Sequence, residues 1–379
     1  MKPRIALDFT HLDSVSPASG QYRYVVALVH GLAELAPDAA FVLFGSRPDP
    51  APELAGVFST GRWTYRRLEP ASGVASTYRD QLRYATALGR EHVDLLHSLH
   101  SFIPILAPCP VVVTVCDLMF ELFPEYAQAV HSRPYRIYRW AARHRARRLV
   151  AISQTTADDV ARLWRVDPGR IDVVPLATRM AGPDQPRRAS SGARPLIVAP
   201  YNLEPRKNLD ALLAAAAILT ERYPTLDVAL FGRGGLTPER EVGFESRLRA
   251  LGLESAVRRT GVISDEVLWR LYQEADVFVF PSLYEGFGLP VLEAMAAGAC
   301  VLVRGASAMR DIVAEAGATV ETSDPAATAV AIGALLDAPA RRREMGERAR
   351  HRAATFTVRR MAEGTWRSYC TALGRAQEV

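Results

Sequence analysis

The sequence predicts an α/β protein built from two Rossmann-like, doubly wound parallel-sheet domains. Three observations carry that expectation. Short β-branched runs alternate with helical patterns along nearly all of the 379 residues. The runs are too uniformly apolar for in–out alternation, as expected of parallel strands covered by helices on both faces. A stretch without hydrophobic period, MAGPDQPRRASSGARP at 180–195, separates two such series and has the composition of a linker. Alternation alone also admits a closed barrel, which would need about eight strands in one series.

Strands are expected in the first series at 4–8, 41–44, 93–97, 111–115, 149–152 and 171–174. The second series offers 196–199, 226–231, 257–260, 275–280, 300–303 and a weaker run at 318–321. The domains are therefore placed at 1–180 and 196–355, with a linker at 181–195. The segment 356–379 carries Met361, Trp366, Tyr369 and Cys370 among polar residues and is expected to form a helix crossing back toward the first domain. Ligands of open α/β sheets bind beyond the carboxyl ends of the strands, so the segments just after each strand hold the candidate chemistry.

Composition narrows the classes. The hydrophobic share of 49% and charged share of 23% are those of a soluble globular chain. Lys plus Arg number 46 against 41 Asp plus Glu, a net of +5 that permits an anionic ligand without predicting nucleic acid. No run of about 18 apolar residues exists to span a bilayer. The start, MKPRIALDFTHLDS, turns polar too early for a secretory signal. Cys109, Cys116, Cys300 and Cys370 lack metal-ligand spacing, so reduced thiols and a cytoplasmic location are expected.

The strongest motif runs from Ala275 to Gly298: an apolar strand, a loop with Glu285, Gly286, Phe287, Gly288 and Leu289, then a helix with Pro290 in its first turn. The glycines permit close backbone approach, and free amides at the helix start form an anion site. Glu285 on the loop and Glu293 in the first helical turn can accept hydrogen bonds from sugar or ribose hydroxyls. Pro205, Arg206, Lys207 and Asn208 follow the strand at 196–199, with Asn208 as helix N-cap. Two cations at the positive end of a helix conflict with its dipole, a conflict that a diphosphate would relieve. A solvated basic turn is the alternative. Weaker signals are Gly232 in a glycine cluster after 226–231, and Ile263 with Ser264 and Glu266 after 257–260.

In the first half, Gly20 precedes a helical run with Val25, Leu28, Val29 and Leu32. His97, His100 and the Cys116–Asp117 pair follow strands. From Arg133 to Arg148 there are seven arginines and no acid. On one helix, Arg136, Arg139, Arg143 and Arg147 would share a face beside Trp140, opposite Tyr135, Tyr138 and Ala142. Two readings are open: an interfacial helix drawn to anionic lipid, or a solvated helix whose tyrosines join the core.

Over nearly its whole length the chain resembles the retaining glycosyltransferases of the GT-B fold, family four, which includes bacterial mannosyltransferases. Glu285-Gly-Phe-Gly-Leu-Pro-Val-Leu-Glu293-Ala-Met-Ala-Ala-Gly298 is similar to that family's two-glutamate motif. The Glu-Pro-Arg-Lys-Asn stretch at 204–208 agrees with it, as do the Gly-x-x-Arg-Tyr segment from Gly20 and the Ile-Asp-Val-Val-Pro-Leu ending of the first domain. The resemblance implies two sheets facing a central cleft. It implies that Glu285 and neighbouring amides hold the donor sugar and that Glu293 binds the ribose. Arg206 and Lys207 would clamp the diphosphate, Ile263 would receive the base, and Gly20 would approach the phosphates from the other domain. Asp117 joins Glu285, Arg206 and Lys207 as a catalytic candidate, with His97 and Cys116 on the acceptor side.

Two departures stand out. Cys116-Asp117 occupies the place where the family often has His-Asp, and Tyr201-Asn202 stands where many relatives have Gly-Arg or Gly-Thr. The implied activity is transfer of a hexosyl unit, mannose or a related sugar, from a nucleoside-diphosphate sugar to a hydroxyl of a glycan or lipid-linked acceptor. It would proceed with retention, in surface polysaccharide or glycoconjugate synthesis (EC class 2.4). GDP-mannose is the first donor to consider. No Asp-x-Asp pair follows a strand, so neither metal nor cofactor is demanded. Peripheral contact with the inner face of the plasma membrane goes with the interfacial reading of the arginine run. The alternatives are a sugar-nucleotide epimerase or phosphorylase on the same architecture, or a non-catalytic nucleotide-sugar-binding scaffold.

Overall fold

The computed structural model describes the chain except residues 1, 11, 13–14, 18, 36–37, 70–75, 100–102, 124–131, 181–193, 235–236 and 377–379. Most of the expected linker, and His100, lie outside the described residues. The chain divides into two compact units, Met1–Arg179 with Phe356–Val379, and Met180–Thr355.

The first unit holds a seven-stranded parallel sheet in the order β3-β2-β1-β4-β5-β6-β7. Its strands are β1 (Arg4–Asp8), β2 (Ala40–Gly45), β3 (Trp63–Arg67), β4 (Leu95–Ser98), β5 (Val111–Val115), β6 (Ala146–Ala151) and β7 (Ile171–Val173). The longer helices among the described residues of the same stretch are α1 (Gly20–Leu35), α2 (Ser76–Arg90), α3 (Arg133–His144) and α4 (Gln154–Trp164). β3 was not expected from sequence. Its residues WTYRR bury only Trp63 fully, because an edge strand is half solvated, so no apolar run announces it. Trp63 stacks on Phe41 with ring centroids 4.3 Å apart.

The second unit holds a six-stranded parallel sheet in the order β10-β9-β8-β11-β12-β13. The strands are β8 (Leu196–Asn202), β9 (Asp227–Gly234), β10 (Val257–Gly261), β11 (Val277–Phe280), β12 (Val301–Arg304) and β13 (Ala318–Val320). Its helices are α5 (Leu209–Arg222), α6 (Pro238–Ala250), α7 (Asp265–Glu274), α8 (Leu289–Ala296), α9 (Ala308–Val313), α10 (Pro325–Leu336) and α11 (Pro339–Ala353). β8 and β11 are buried against helices on both faces, and α5 sets Leu209, Leu212, Leu213 and Ala216 into that core. The buried Asp276–Arg342 ion pair, at 2.9 Å, ties α11 beneath the sheet. Asp276 Oδ2 also accepts the Leu196 amide, so neither charge is left unmatched.

The last helix, α12 (Val358–Leu373), packs in the first unit. Thr357 caps its start by accepting from the Arg360 amide, and Gly374, at φ +66°, ends it. It lies close along α1: a Cβ on Gly31 would stand 2.9 Å from that of Ala362.

Candidate functional site

In each sheet the strand order reverses direction about its first strand, which places a topological switch point between β1 and β4 and another between β8 and β11. At the second, the loops leaving β8 and β11 close on each other. The Leu283 amide donates to Arg206 O at 2.7 Å, and Asn208 Nδ2 donates to Pro281 O and Thr322 O at 3.2 and 2.9 Å. Asn208 occupies the N-cap position of α5, but its φ of +56° is left-handed and its side chain does not cap. It is the rivet between the two loops instead.

Pro205–Lys207 forms one 3₁₀ turn that presents Arg206 and Lys207 side by side. Lys207 Nζ stands 2.6 Å from Glu285 Oε1, and Arg206 Nη1 stands 3.4 Å from Glu285 Oε2. Arg206 Nε also donates to Glu204 Oε2 at 2.9 Å. The dipole conflict expected of two cations before a helix is thus answered within the protein, by two carboxylates. Burial alone would raise the Glu285 pKa, but Lys207, Arg206 and the Ser282 hydroxyl overcome that and hold it below the ordinary carboxylate range. The result is an ionised carboxylate and two cations at a strand end, all only slightly exposed. Such a group can exchange partners with a phosphate or sugar hydroxyl at modest desolvation cost.

Gly286, Phe287, Gly288 and Leu289 are buried, and Gly288 adopts φ +115° as the N-cap of α8. That bend starts the helix at Leu289, so Glu293 falls beyond the first turn where it was expected. Its side chain is buried, with the Tyr272 hydroxyl 3.4 Å from Oε2. Gly232 lies in β9 at φ +116°, and Ile263 is half-buried between β10 and α7. Ser264 caps α7 by accepting from the Val267 amide. Tyr201 turns its ring inward against Phe244, with centroids 4.9 Å apart.

Sequence reasoning missed Ser282 and Arg304, and it quoted Glu204 only as part of the 204–208 stretch, without the role of partner to Arg206. Ser282 Oγ lies 2.7 Å from Glu285 Oε1 and also reaches Arg206 O and Tyr284 O, so one hydroxyl braces both loops. Arg304 Nη1 donates to Leu283 O at 2.9 Å. A serine two residues past β11 was the available signal. Arg304 gave none, because only folding brings it to the loop after β11.

The first-unit candidates are scattered. Gly20 is exposed at the start of α1. Asp117 Oδ1 accepts the Met119 amide at 3.1 Å, and burial pushes the Cys116 thiol up to about 12, keeping it neutral. His97 does not stand open to an acceptor. It is fully buried, with Nδ1 2.7 Å from Tyr369 Oη and Nε2 2.8 Å from Thr114 Oγ1. A histidine next to the end of β4 points inward because α12 covers that part of the sheet. Among the described residues, no cluster of three or more His, Cys, Asp or Glu side chains converges as a metal site would need.

The arginine run is also split by the fold. α3 ends at His144, so Arg147 belongs to β6 and not to the helical face expected of it. Arg139 turns inward to Glu121 at 3.2 Å, while Arg136, Arg143 and Trp140 remain exposed.

Two family models divide the chain between them. The model described as "Glycosyltransferase Family 4" matches residues 18–179, and "Glycosyl transferases group 1" matches 184–352. This chain belongs to the family-four glycosyltransferases. Similar proteins include an MMP alpha-(1->4)-mannosyltransferase of Mycolicibacterium hassiacum, 34% identical over 60% of this chain and 54% of the relative. A D-inositol 3-phosphate glycosyltransferase of Catenulispora acidiphila is 34% identical over 56% of this chain and 53% of the relative. The chain thus spans about half the length of the curated relatives it matches. In structure it is similar to a sucrose-phosphate synthase from Thermosynechococcus elongatus, at TM-score 0.75 and 24% identity, covering 95% of this chain and 96% of that one. Anabaena HepE in complex with UDP and glucose is similar at TM-score 0.73 and 17% identity, covering 96% and 97%. The fold is the GT-B fold of this family, two Rossmann-like parallel-sheet domains. No helix among the described residues is long and apolar enough to cross a membrane.

Proposed function

We propose that this protein transfers a hexosyl unit from a nucleoside-diphosphate sugar to a hydroxyl acceptor with retention of anomeric configuration. The observation that carries the proposal is the convergence of Arg206, Lys207 and Glu285 at the β8/β11 switch point. A departing nucleoside diphosphate gains negative charge in the transition state. Two cations beside the start of α8 stabilise that charge more than they stabilise the bound donor. Glu285 orients the sugar hydroxyls, and a phosphate oxygen takes the acceptor's proton on the face from which the leaving group departs. This needs neither a protein nucleophile nor a metal. The name of the mannosyltransferase it resembles supports mannose as the sugar, which makes GDP-mannose the first donor to test, and the inositol-phosphate name supports a phosphorylated polyol beside a glycan or lipid-linked acceptor, in glycoconjugate synthesis.

The deciding experiment offers GDP-mannose and a panel of UDP-sugars, first alone and then with candidate acceptors, and follows the products by NMR. An α-linked product from an α-linked donor supports the proposal. An epimer formed without acceptor would assign the protein to the rival chemistry, and binding without any turnover would assign it to the scaffold.

We further propose that the first unit rests on anionic membrane. Trp140 is 51% exposed and Leu106 54%. Trp140, Ile105, Ile137 and Arg136 line a shallow hollow of about 330 Å³. Arg136, Arg143 and Arg147 make no ion pair with a described carboxylate. An aromatic and aliphatic patch edged by such arginines matches the interface of an acidic bilayer.

A further inference from the structure

Tyr201 sits where the pairing of β8 with β9 breaks register. Pro200 pairs with Phe231 and Asn202 with Gly234, so Gly232 and Arg233 both lie opposite this single tyrosine. That is a β-bulge, a device that re-aims a strand end. Both flanking glycines are fitted to Tyr201. Gly234 has φ +78°, and a Cβ there would stand 2.2 Å from Tyr201 Cε1. Gly232 has φ +116°, and its Cβ would stand 3.3 Å from Tyr201 O.

The ring itself is held from the other side. Tyr201 Oη donates to Glu241 Oε2 at 2.5 Å, from α6. The Arg259 guanidinium lies 5.8 Å from the Tyr201 ring centroid and 5.6 Å from that of Phe244. Arg259 also pairs with Glu241 and Glu245 at 3.6 and 2.5 Å. Burial and the Glu241 bond push the phenol up to about 12, so it stays protonated and its bond keeps one direction. Beyond Tyr201 the chain of contacts continues toward the site. Asn202 Oδ1 accepts the Glu204 amide at 2.9 Å, Glu204 Oε2 accepts Arg206 Nε at 2.9 Å, and Arg206 reaches Glu285.

We propose that Tyr201 is a positioning residue: anchored by Glu241 and Arg259, it fixes the 232–234 bend against the 202–207 loop and thereby sets how tightly Arg206 and Lys207 hold the donor's pyrophosphate. The inference rests on the donor-site reading above. It deepens that reading by giving Tyr201, near the end of β8, a task in binding without contact to the reacting atoms.

The test uses the full chain as wild type, Y201F, E241Q and the double variant, with GDP and UDP titrated by calorimetry and melting followed in parallel. Weakening one partly buried hydrogen bond to a charged acceptor should weaken nucleoside-diphosphate binding by roughly three- to tenfold. The double variant should be no worse than the poorer single, because both act on the same link, one by deleting its donor and the other by neutralising its acceptor. E241Q keeps the test open should Y201F fold poorly, since Glu241 is only half-buried. Variants that melt earlier yet bind as wild type would overturn the inference and leave a purely structural tyrosine, as would folded variants unchanged in both measurements. A wild type that binds neither GDP nor UDP would instead overturn the donor-site reading itself.

Discussion

Lys207 Nζ and Glu285 Oε1, 78 residues apart in sequence, meet at 2.6 Å where the loops after β8 and β11 close on one another. The cation and the acid assigned to the two ends of a sugar nucleotide are therefore each other's partners. A pyrophosphate that engages Lys207 must share it with Glu285 or take it over. On the proposed reading, binding of the phosphates and orientation of the sugar-facing carboxylate would be a single rearrangement.

That coupling makes Glu285→Gln informative. Transfer should fall by about a hundredfold or more in kcat/KM, as when one preorganised electrostatic partner is removed. Urea denaturation should show a loss of roughly 3 kcal/mol, because Lys207 and Arg206 lose a buried counter-charge. A nucleoside diphosphate restores negative charge, so the rise in melting temperature with GDP or UDP should be larger in Glu285→Gln than in wild type. Equal rises would separate the anion site from the cation pair.

His97 supplies a pH test. Burial lowers its pKa to about 3 from 6.5, so the folded protein keeps it neutral while the unfolded chain takes up a proton below 6.5. Its contribution to stability is complete above pH 6.5 and declines as pH falls toward 3, by about 1.4 kcal/mol per pH unit. His97→Gln should be less stable at pH 7 by roughly 2 kcal/mol, with Tyr369 and Thr114 left short of a partner. The gap from wild type should narrow between pH 6 and 4. Denaturation midpoints at four or five pH values would reveal a constant gap if the imidazole were accessible to protons in the fold.

Gly288→Ala probes the loop's backbone. At φ +115° an L-residue is strained, and the new Cβ would lie 2.9 Å from Met309 Cγ. A destabilisation of about 1–3 kcal/mol is expected. Donor affinity should fall with it, since the start of α8 must shift. Thermal melts paired with calorimetry test both halves of this expectation.

For the arginine surface, co-sedimentation with phosphatidylglycerol-containing vesicles should exceed that with phosphatidylcholine alone and weaken as salt rises. Arg136→Glu/Arg143→Glu should abolish the preference for acidic lipid, and Trp140→Ala should weaken binding at every salt concentration. Binding indifferent to both lipid charge and salt would leave the solvated-helix reading.

The donor-loop motifs were legible because their chemistry is local. A strand, a glycine bend and a proline-bearing helix start are spelled by neighbouring residues in 275–298, and the basic turn at 204–208 is likewise contiguous. β3 was not legible, since an edge strand needs little apolar content and is recognised by its pairing with β2. The end of α3 was not legible either. Arg145 carries no stop signal, and the turn to β6 is decided by pairing with β5.

Local pattern and period alone determined that this is a two-series α/β chain with a glycine-bent, acid-bearing loop after one buried strand and two cations after another. Tertiary structure alone decided that the cations and the acid neutralise one another, that Ser282 and Asn208 rivet their loops, and that His97 is sealed beneath α12. The physical reason is range. Backbone propensity and hydrophobic period act over a few residues, whereas an ion pair across 78 positions exists only after the sheet has placed β8 beside β11.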